Sequence, residues 1–121
     1  MNARIENGVW IRVADLDAAS RFYREVLQLP PPVMECQDCC VFLLEEQGFK
    51  LVLEHSGAEY LEHAGTANSW IVSCPDVDGV EKRLGKFGIE LFRNMNSFCD
   101  CRYHRACDPE GNPFIICERA E

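Results

Sequence analysis

The chain has 121 residues, of which 47% are hydrophobic and 26% charged, a balance typical of one soluble globular domain. Twenty acidic and twelve basic side chains give a formal net charge of −8. This negative field disfavours a nucleic-acid partner, because it repels a phosphate backbone. No apolar stretch approaches the ~20 residues that span a bilayer, and the N-terminus lacks the apolar segment of a secretory signal. We therefore expect a cytoplasmic protein with no membrane partner.

The first half begins with an alternating apolar pattern that changes to a helical one. Residues 9–14 place their apolar side chains on one face, as in a half-buried strand. Asp15 then suits a helix N-cap, because its carboxylate can accept the free N–H groups of the first turn. Apolar residues recur at helical spacing over residues 16–27, and the prolines at 30–32 end this predicted helix. Three strand-like runs follow, at residues 33–36, 40–44 and 49–54.

The second half repeats this order of elements. Residues 70–74 predict a strand, Asp76 a second N-cap and residues 77–87 a helix. Gly88 suits the left-handed residue that often ends a helix. Three strand-like runs follow again, at residues 90–93, 102–107 and 113–117. The sequence therefore predicts one domain of residues 1–121, built from two βαβββ modules at residues 5–56 and 68–121 and a polar linker at residues 57–67.

Two motifs give this repeat a resemblance to a known family. The segment VADLDAASRFY at residues 13–23 resembles the first strand-to-helix junction of the vicinal-oxygen-chelate superfamily. That superfamily contains glyoxalases, extradiol dioxygenases, fosfomycin-resistance enzymes and bleomycin-binding proteins. The turn DPEGN at residues 108–112 resembles its final turn. The resemblance implies an α+β fold in which two βαβββ modules form U-shaped, mostly antiparallel sheets around a cavity.

The resemblance also implies which side chains line that cavity. In this family helices pack on the convex face of each sheet, so the apolar residues of the first strand face the helix. The alternate side chains, Trp10 and Arg12, then face the cavity. An indole, a phenol and two guanidinium groups would suit a planar, partly aromatic ligand with an anionic end. The predicted ligand-binding residues are Trp10, Arg12, Phe42, Glu54, Ser69, Ile71, Tyr103, Arg105 and Ile115, with Lys50 and Val52 as further candidates.

Several of these side chains also have a purely structural explanation. Burial at a seam between modules or between subunits would account for Trp10 and Tyr103. Ion pairs with glutamates would account for Arg12 and Arg105 without any ligand. The candidate partners are Glu35, Glu45 and Glu54.

The chain departs from the family pattern at the positions where a metal would be bound. Metal-bearing members place a donor seven residues before each capping Asp, and a carboxylate seven residues after the Asp of the final turn. Here those positions are Gly8, Ser69 and Ile115. Glycine and isoleucine offer no donor, and serine is a poor ligand for a divalent transition ion. The remaining position falls within residues 51–54, where Glu54 is a lone carboxylate. We therefore expect no catalytic residue, no metal and no other cofactor.

The three histidines do not rebuild this site. His55 adjoins Glu54 on a predicted strand, so the two side chains point to opposite faces. His63 lies in the linker. We expect both of these, and His104, to be solvated or hydrogen-bonded at the surface.

Eight cysteines are many for this length, and they cluster in equivalent hairpins of the two modules. Cys36 and Cys39 have the Cys-x-x-Cys spacing of zinc ligands, and Cys99, Cys101 and His104 lie close together in the second half. If the two hairpins met, these five residues could form a zinc site.

Free thiols are the default in a reducing cytosol. Cys40, Cys74 and Cys107 would then pack as small buried hydrophobes. A further alternative is a catalytic thiolate at Cys101 or Cys107, where the charge of Arg105 would lower the pKa of the thiol.

The function that these inferences favour is sequestration or sensing of a small organic ligand without a metal. The resemblance supports this function, because the bleomycin-binding proteins of the superfamily bind their ligand on a scaffold that also lacks the metal. One alternative is a metal-dependent lyase, isomerase or dioxygenase with a relocated metal site. A second is a zinc or thiol sensor that uses the cysteine-rich hairpins. The resemblance also implies a homodimer, because family members commonly complete their cavities across a two-fold interface.

Overall fold

A computed structural model describes residue 3 and residues 7–44, 48–56, 70–97 and 100–119, the last residue by its backbone alone. Seven strands and two helices are found in these ranges. The first half contains β1 Gly8–Val13, α1 Leu16–Val26, β2 Met34–Glu35, β3 Cys39–Leu44 and β4 Phe49–His55. The second half contains β5 Ile71–Ser73, α2 Val77–Gly85, β6 Cys101–Cys107 and β7 Pro113–Arg119. The predicted linker at residues 57–67 lies outside the described residues.

The strands form two mixed sheets that repeat one plan. The first sheet has the order β1-β4-β3-β2 and the second the order β5-β7-β6. The first strand of each half pairs in parallel with the last strand of that half, and all other pairs are antiparallel. The repeat predicted from the two capping aspartates is therefore confirmed as an equivalence of strand pairing.

One predicted strand is reduced to a single bridge. Residues 90–93 contribute only the pair Phe92 and Arg105, joined by two backbone hydrogen bonds of 2.9 and 3.0 Å. The ladder does not continue, because the next available donor, the backbone N–H of Asn94, is bonded to Nδ1 of His104. A side chain has taken the place of a backbone partner.

Both helix caps are confirmed. The carboxylate of Asp15 accepts the N–H of Ala18, and that of Asp76 accepts the N–H of Gly79, each at 3.0 Å. Gly88 adopts a left-handed conformation after α2, with φ of 73°, as predicted. Neither described helix is long and apolar enough to cross a membrane.

One hydrophobic core joins the two halves. Phe22 and Tyr23 of α1 pack against Phe114 of β7, with ring centroids 6.2 and 6.1 Å apart. Tyr23 also contacts Trp70, which stacks on Phe49 of β4 at 6.0 Å. Because aromatic rings from both modules interlock, neither sheet buries its helix-facing side chains independently of the other half.

The two segments that carry the family resemblance are bonded to each other. The hydroxyl of Tyr23 donates to the buried carboxylate of Asp108 at 2.8 Å. Burial and the neighbouring Asp108 raise the pKa of Tyr23 far above its ordinary value, so the phenol remains a donor. The carboxylate of Glu110 accepts the backbone N–H groups of Ala14 and Asp15 at 2.7 and 3.0 Å. The final turn therefore holds the start of α1 in place.

Tyr23→Phe should reveal how strongly this link couples the two halves. The substitution removes one donor from a buried carboxylate, and we expect it to lower the free energy of unfolding by about 1.5–3 kcal/mol. Urea unfolding followed by circular dichroism measures the change.

A double-mutant cycle with Asp108→Asn provides the control. In that background the carboxylate is already gone, so Tyr23→Phe should cost less, with a coupling energy of about 1 kcal/mol or more. Strictly additive effects would show that the two side chains stabilise the fold independently.

Candidate functional site

Each sheet turns one face to the helices and the shared core, and the other face, here called the open face, away from them. In β1 the core residues Ile11 and Val13 are at most 1% exposed, and they alternate with Trp10 and Arg12. Strand register then gives the open-face rows of the first sheet. They are Cys39, Glu54 and Arg12; Met34, Val41, Val52 and Trp10; and Leu43, Lys50 and Gly8.

The open face of the second sheet follows from the same reasoning. In β6 and β7 the core residues Ala106, Phe114 and Ile116 define the helix-facing side. Besides Cys101 and Cys107, the opposite side carries two rows that include a residue of β5. They are Ile71, Ile115, Arg105 and Phe92; and Ser73, Cys117 and Tyr103.

Seven predicted ligand-binding residues lie on the two open faces, as expected from strand alternation. They are Trp10, Arg12, Glu54, Ile71, Tyr103, Arg105 and Ile115. Ser69 lies outside the described residues. That any of the seven binds a ligand stays a prediction.

Phe42 is a correction, because it does not lie on an open face. It pairs with Leu51 in the sheet and, like Leu51, is fully buried in the core. The run CVFLL of β3 is apolar at every position, so alternation in the sequence could not show which residues face the helix. The pairing with β4 decides it.

Arg12 and Glu54 form one of the ion pairs that were expected for Arg12. The Nε of Arg12 lies 3.1 Å from the Glu54 carboxylate, which is fully buried. A buried carboxylate needs such a partner, because an uncompensated charge is costly to remove from water. The pair therefore forms a polar end to the open face of the first sheet.

A shallow depression of about 280 Å³ lies beside Trp10, the most exposed aromatic ring of the first open face. Its lining consists of Asn7, Gly8, Val9, Trp10, Lys50 and Val52. This volume is just below the ≈ 300 Å³ at which small-molecule pockets begin. The indole is 37% exposed, so one aromatic surface and the side chain of Lys50 border the same space.

The open faces do not share this depression within the described part of the chain. A second cavity, of about 270 Å³, includes Leu43 from the first open face and Ser73 from the second. None of the predicted ligand-binding residues lines it. Trp10 lines the first of these two depressions, and Arg105 lines neither.

Comparison with solved structures decides the fold. A glyoxalase/bleomycin resistance protein from Catenulispora acidiphila superposes with a TM-score of 0.67 and 24% identity, over 95% of this chain and 98% of that one. This is the glyoxalase/bleomycin-resistance fold. Lactoylglutathione lyase from Agrobacterium tumefaciens has a TM-score of 0.70 at 19% identity, with 98% and 96% of the chains covered. An integron cassette protein of V. cholerae has a TM-score of 0.69 at 15% identity, with 98% and 97% covered.

The likeness extends to the fold and no further. No sequence-family model and no curated protein matches the chain. The neighbours with this fold include a lyase and proteins named as oxidases, so the fold does not select one chemistry. The site itself has to be tested for the metal that the resemblance implies.

Strand register identifies the fourth metal position of the glyoxalase/bleomycin-resistance fold. Trp10 and Ile71 both stand five residues before a capping Asp, and they pair with Val52 and Ile115 respectively. Val52 is therefore the counterpart of Ile115. Glu54 is one row further along the sheet, and the expectation that it could be the surviving metal carboxylate is wrong.

The side chains at these positions do not fit a divalent metal ion. Val52 and Ile115 are aliphatic, and Gly8 has no side chain. A Cβ at Gly8 would lie 2.6 Å from the backbone carbonyl oxygen of Lys50. The close approach of β1 and β4 therefore excludes any donor side chain there unless a strand moves. Within residues 7–44, 48–56, 70–97 and 100–118, no group of three or more His, Cys, Asp or Glu side chains could hold an ion.

The alternative zinc site is not assembled by the described residues. Cys36 and Cys39 are adjacent at the β2–β3 hairpin. Cys101 and His104, three residues apart on β6, point to opposite faces of the second sheet and cannot share an ion. Cys99 lies outside the described residues. The expectation that Cys101 and His104 could act together is wrong, because strand alternation separates them.

His104 is buried rather than at the surface. Its ring is fully buried, Nδ1 accepts the N–H of Asn94 at 3.0 Å, and Nε2 lies 2.9 Å from the carboxylate of Glu118. Since Nδ1 accepts, Nε2 carries the proton and donates to Glu118. His104 therefore links the segment after Leu91 to β6 and β7. His55 faces away from Glu54, as predicted, and His63 lies outside the described residues.

All seven described cysteines are free thiols. Cys40 is buried in the core and Cys74 packs against it, as predicted, and burial raises the pKa of both thiols. Cys107 is half-buried, and Cys101 is buried on the open face of the second sheet.

Gly8→Ala tests whether the close approach of β1 and β4 excludes a side chain at this position. The added Cβ would press against the Lys50 carbonyl, so we expect a loss of about 1–3 kcal/mol in the free energy of unfolding. Gly85→Ala is the matched control, because nothing lies within 4 Å of the added Cβ at the end of α2. There we expect a neutral effect or a gain of up to about 1 kcal/mol. Equal effects of the two substitutions in urea unfolding would contradict the close approach.

Proposed function

We propose that this chain binds a small organic molecule at the open face of the first sheet, without a metal and without transforming it. One observation carries the proposal. The positions that would hold metal donors include Gly8, Val52 and Ile115, while the exposed indole of Trp10 borders a depression that Gly8 and Val52 also line. Binding needs only a complementary surface, whereas metal-assisted chemistry needs electron-pair donors that these side chains lack.

The chemistry of the depression favours a planar ligand with an anionic end. The Trp10 ring offers a face on which an aromatic or unsaturated group can stack. Lys50 lines the same depression and supplies a positive charge. Gly8 contributes its backbone to the lining of the depression. The ion pair of Arg12 with the buried carboxylate of Glu54 adds rigidity to this end of the open face.

We further propose that a second copy of the chain completes the site. The depression is small for a pocket, and exposed apolar side chains are concentrated on the two open faces. Of the seven exposed large hydrophobic residues found among the described ones, five lie on the open faces, namely Trp10, Met34, Leu43, Ile71 and Phe92. Contiguous exposed apolar surface on a soluble protein is typical of an interface or a ligand site. In the proposed dimer, Tyr103 and Arg105 of one copy would contact the ligand bound to the other copy.

Trp10→Ala should weaken binding of a planar anionic probe. Anilinonaphthalene sulfonate has the required shape and charge, and its own fluorescence rises on binding. Loss of the stacking surface should reduce the affinity about tenfold, equivalent to about 1.4 kcal/mol. The control, Met95→Ala, removes a more exposed apolar side chain outside both sheets and should leave the affinity unchanged. An unchanged affinity in Trp10→Ala would show that the probe does not bind at the open face of the first sheet.

Lys50→Gln separates charge recognition from apolar adsorption. The substitution should lower the affinity for the sulfonate probe about fivefold or more, while the affinity for the uncharged N-phenylnaphthylamine should change by less than about twofold. Lys86→Gln, on the exposed end of α2, is the matched control and should affect neither probe. If Lys50→Gln lowers the affinity for both probes equally, the site does not recognise an anionic group.

Sedimentation equilibrium tests the dimer. We expect twice the chain mass of 13.8 kDa, and a shift towards monomer in Ile71→Asp, because a carboxylate would be buried on the open face of the second sheet. Met95→Asp introduces the same charge outside both sheets and should remain dimeric. A monomer for the unmodified chain at micromolar concentration would contradict this part of the proposal.

A further inference from the structure

The β2–β3 hairpin brings two thiols opposite one another. Glu35 pairs with Cys40, so Cys36 and Cys39 are the next pair and enclose a two-residue turn. The N–H of Cys36 donates to the carbonyl of Cys39 at 2.9 Å. The Cα atoms of such a hydrogen-bonded pair are about 5.5 Å apart, which lies within the range of roughly 4.4–6.8 Å that a disulfide requires.

The side chains of this pair also point towards each other. The two Sγ atoms are 2.9 Å apart, in contact as thiols. Cys36 is exposed and Cys39 half-buried, so reagents can reach the pair through Cys36. Cys40, the next residue along β3, points to the opposite face, where its Sγ lies 3.5 Å from the hydroxyl of Ser20. The hairpin geometry therefore favours a bond between Cys36 and Cys39 over one that includes Cys40.

We propose that Cys36 and Cys39 form a redox-active dithiol, which a low-molecular-weight disulfide such as oxidised glutathione converts to an intrachain disulfide. The site is independent of the proposed ligand site, since neither cysteine lines the depression beside Trp10. It also differs from a zinc site, because it needs only two thiols.

The reaction proceeds in two exchanges. The thiolate of Cys36 attacks one sulfur of the oxidant, the sulfur–sulfur bond of the oxidant breaks, and the departing thiolate takes up a proton. Cys39 then gives up its proton and attacks the Sγ of Cys36 in the mixed disulfide, which expels the second thiolate. The two cysteines lose two electrons, and the oxidant is reduced to two thiols.

The surroundings of the two thiols determine which one attacks the oxidant and which one then closes the disulfide. The hydrogen bond from Cys39 lowers the pKa of Cys36 below its ordinary value. The same bond, together with burial, raises the pKa of Cys39 to about 11. The thiolate is the nucleophile in exchange, so Cys36 attacks first and Cys39 resolves the mixed disulfide.

The experiment uses the full chain and oxidised glutathione, with acid quenching and mass spectrometry. The protein should lose two hydrogen atoms. Endoproteinase Asp-N cuts before Asp38, between the two cysteines, and the resulting fragments should remain joined until a reductant is added. Under limiting iodoacetamide, the reduced chain should be alkylated at Cys36 before Cys39.

Substitutions then assign the order of events. Cys39→Ser should accumulate a glutathione adduct on Cys36, whereas Cys36→Ser should form an adduct on Cys39 about tenfold more slowly. Cys107→Ser, a half-buried thiol of the second sheet, should behave as the unmodified chain does.

Three results would overturn the proposal. They are a disulfide that joins either cysteine to a different thiol or to another chain, equal reaction of Cys36→Ser and Cys39→Ser, and a native rate no higher than that of the urea-unfolded chain. The first and third results are measured on the unmodified chain, so they can contradict the proposal even if a variant fails to fold.

Discussion

The buried carboxylate of Asp108 is the constraint on which the rest of the structure depends. It accepts the Tyr23 hydroxyl, the N–H groups of Glu110 and Asn112, and the side-chain amide of Asn112, all at 2.8–2.9 Å. A carboxylate removed from water needs this many donors, since desolvation is otherwise costly. Because one donor comes from the first module and the others from the second, folding can satisfy the charge only with both halves in place.

The geometry of the open faces follows from this link. Glu110, held in the same turn, fixes the backbone of Ala14 and Asp15, where β1 ends and α1 begins. With that end fixed and Ile11 and Val13 buried in the core, the alternate side chains of β1 have to point the other way. The position of Trp10 beside the depression is thus a consequence of packing on the opposite face. A site assembled in this way can change its side chains without loss of the fold.

The two open faces carry different side chains although the two halves share one plan of strand pairing. The first combines an indole, an ion pair and a dithiol hairpin, whereas the second combines exposed Ile71 and Phe92 with Arg105 and Tyr103. At the equivalent metal positions of the two sheets, Val52 and Ile115 carry hydrocarbon where a donor would be needed. Such surfaces lose the ability to coordinate an ion and gain affinity for apolar groups.

The sequence by itself determined the repeated order of elements and both aspartate caps and, taken with the family resemblance, it predicted the outward direction of Trp10, Arg12, Ile71, Tyr103 and Arg105. Each of these depends on local periodicity, which the chain carries within a few residues. Only the tertiary structure decided the burial of Phe42 and His104, the loss of the strand at residues 90–93, the equivalence of Val52 with Ile115, and the contact of Cys36 with Cys39. Their common physical reason is strand register and side-chain packing, which depend on partners that alternation within one segment cannot identify.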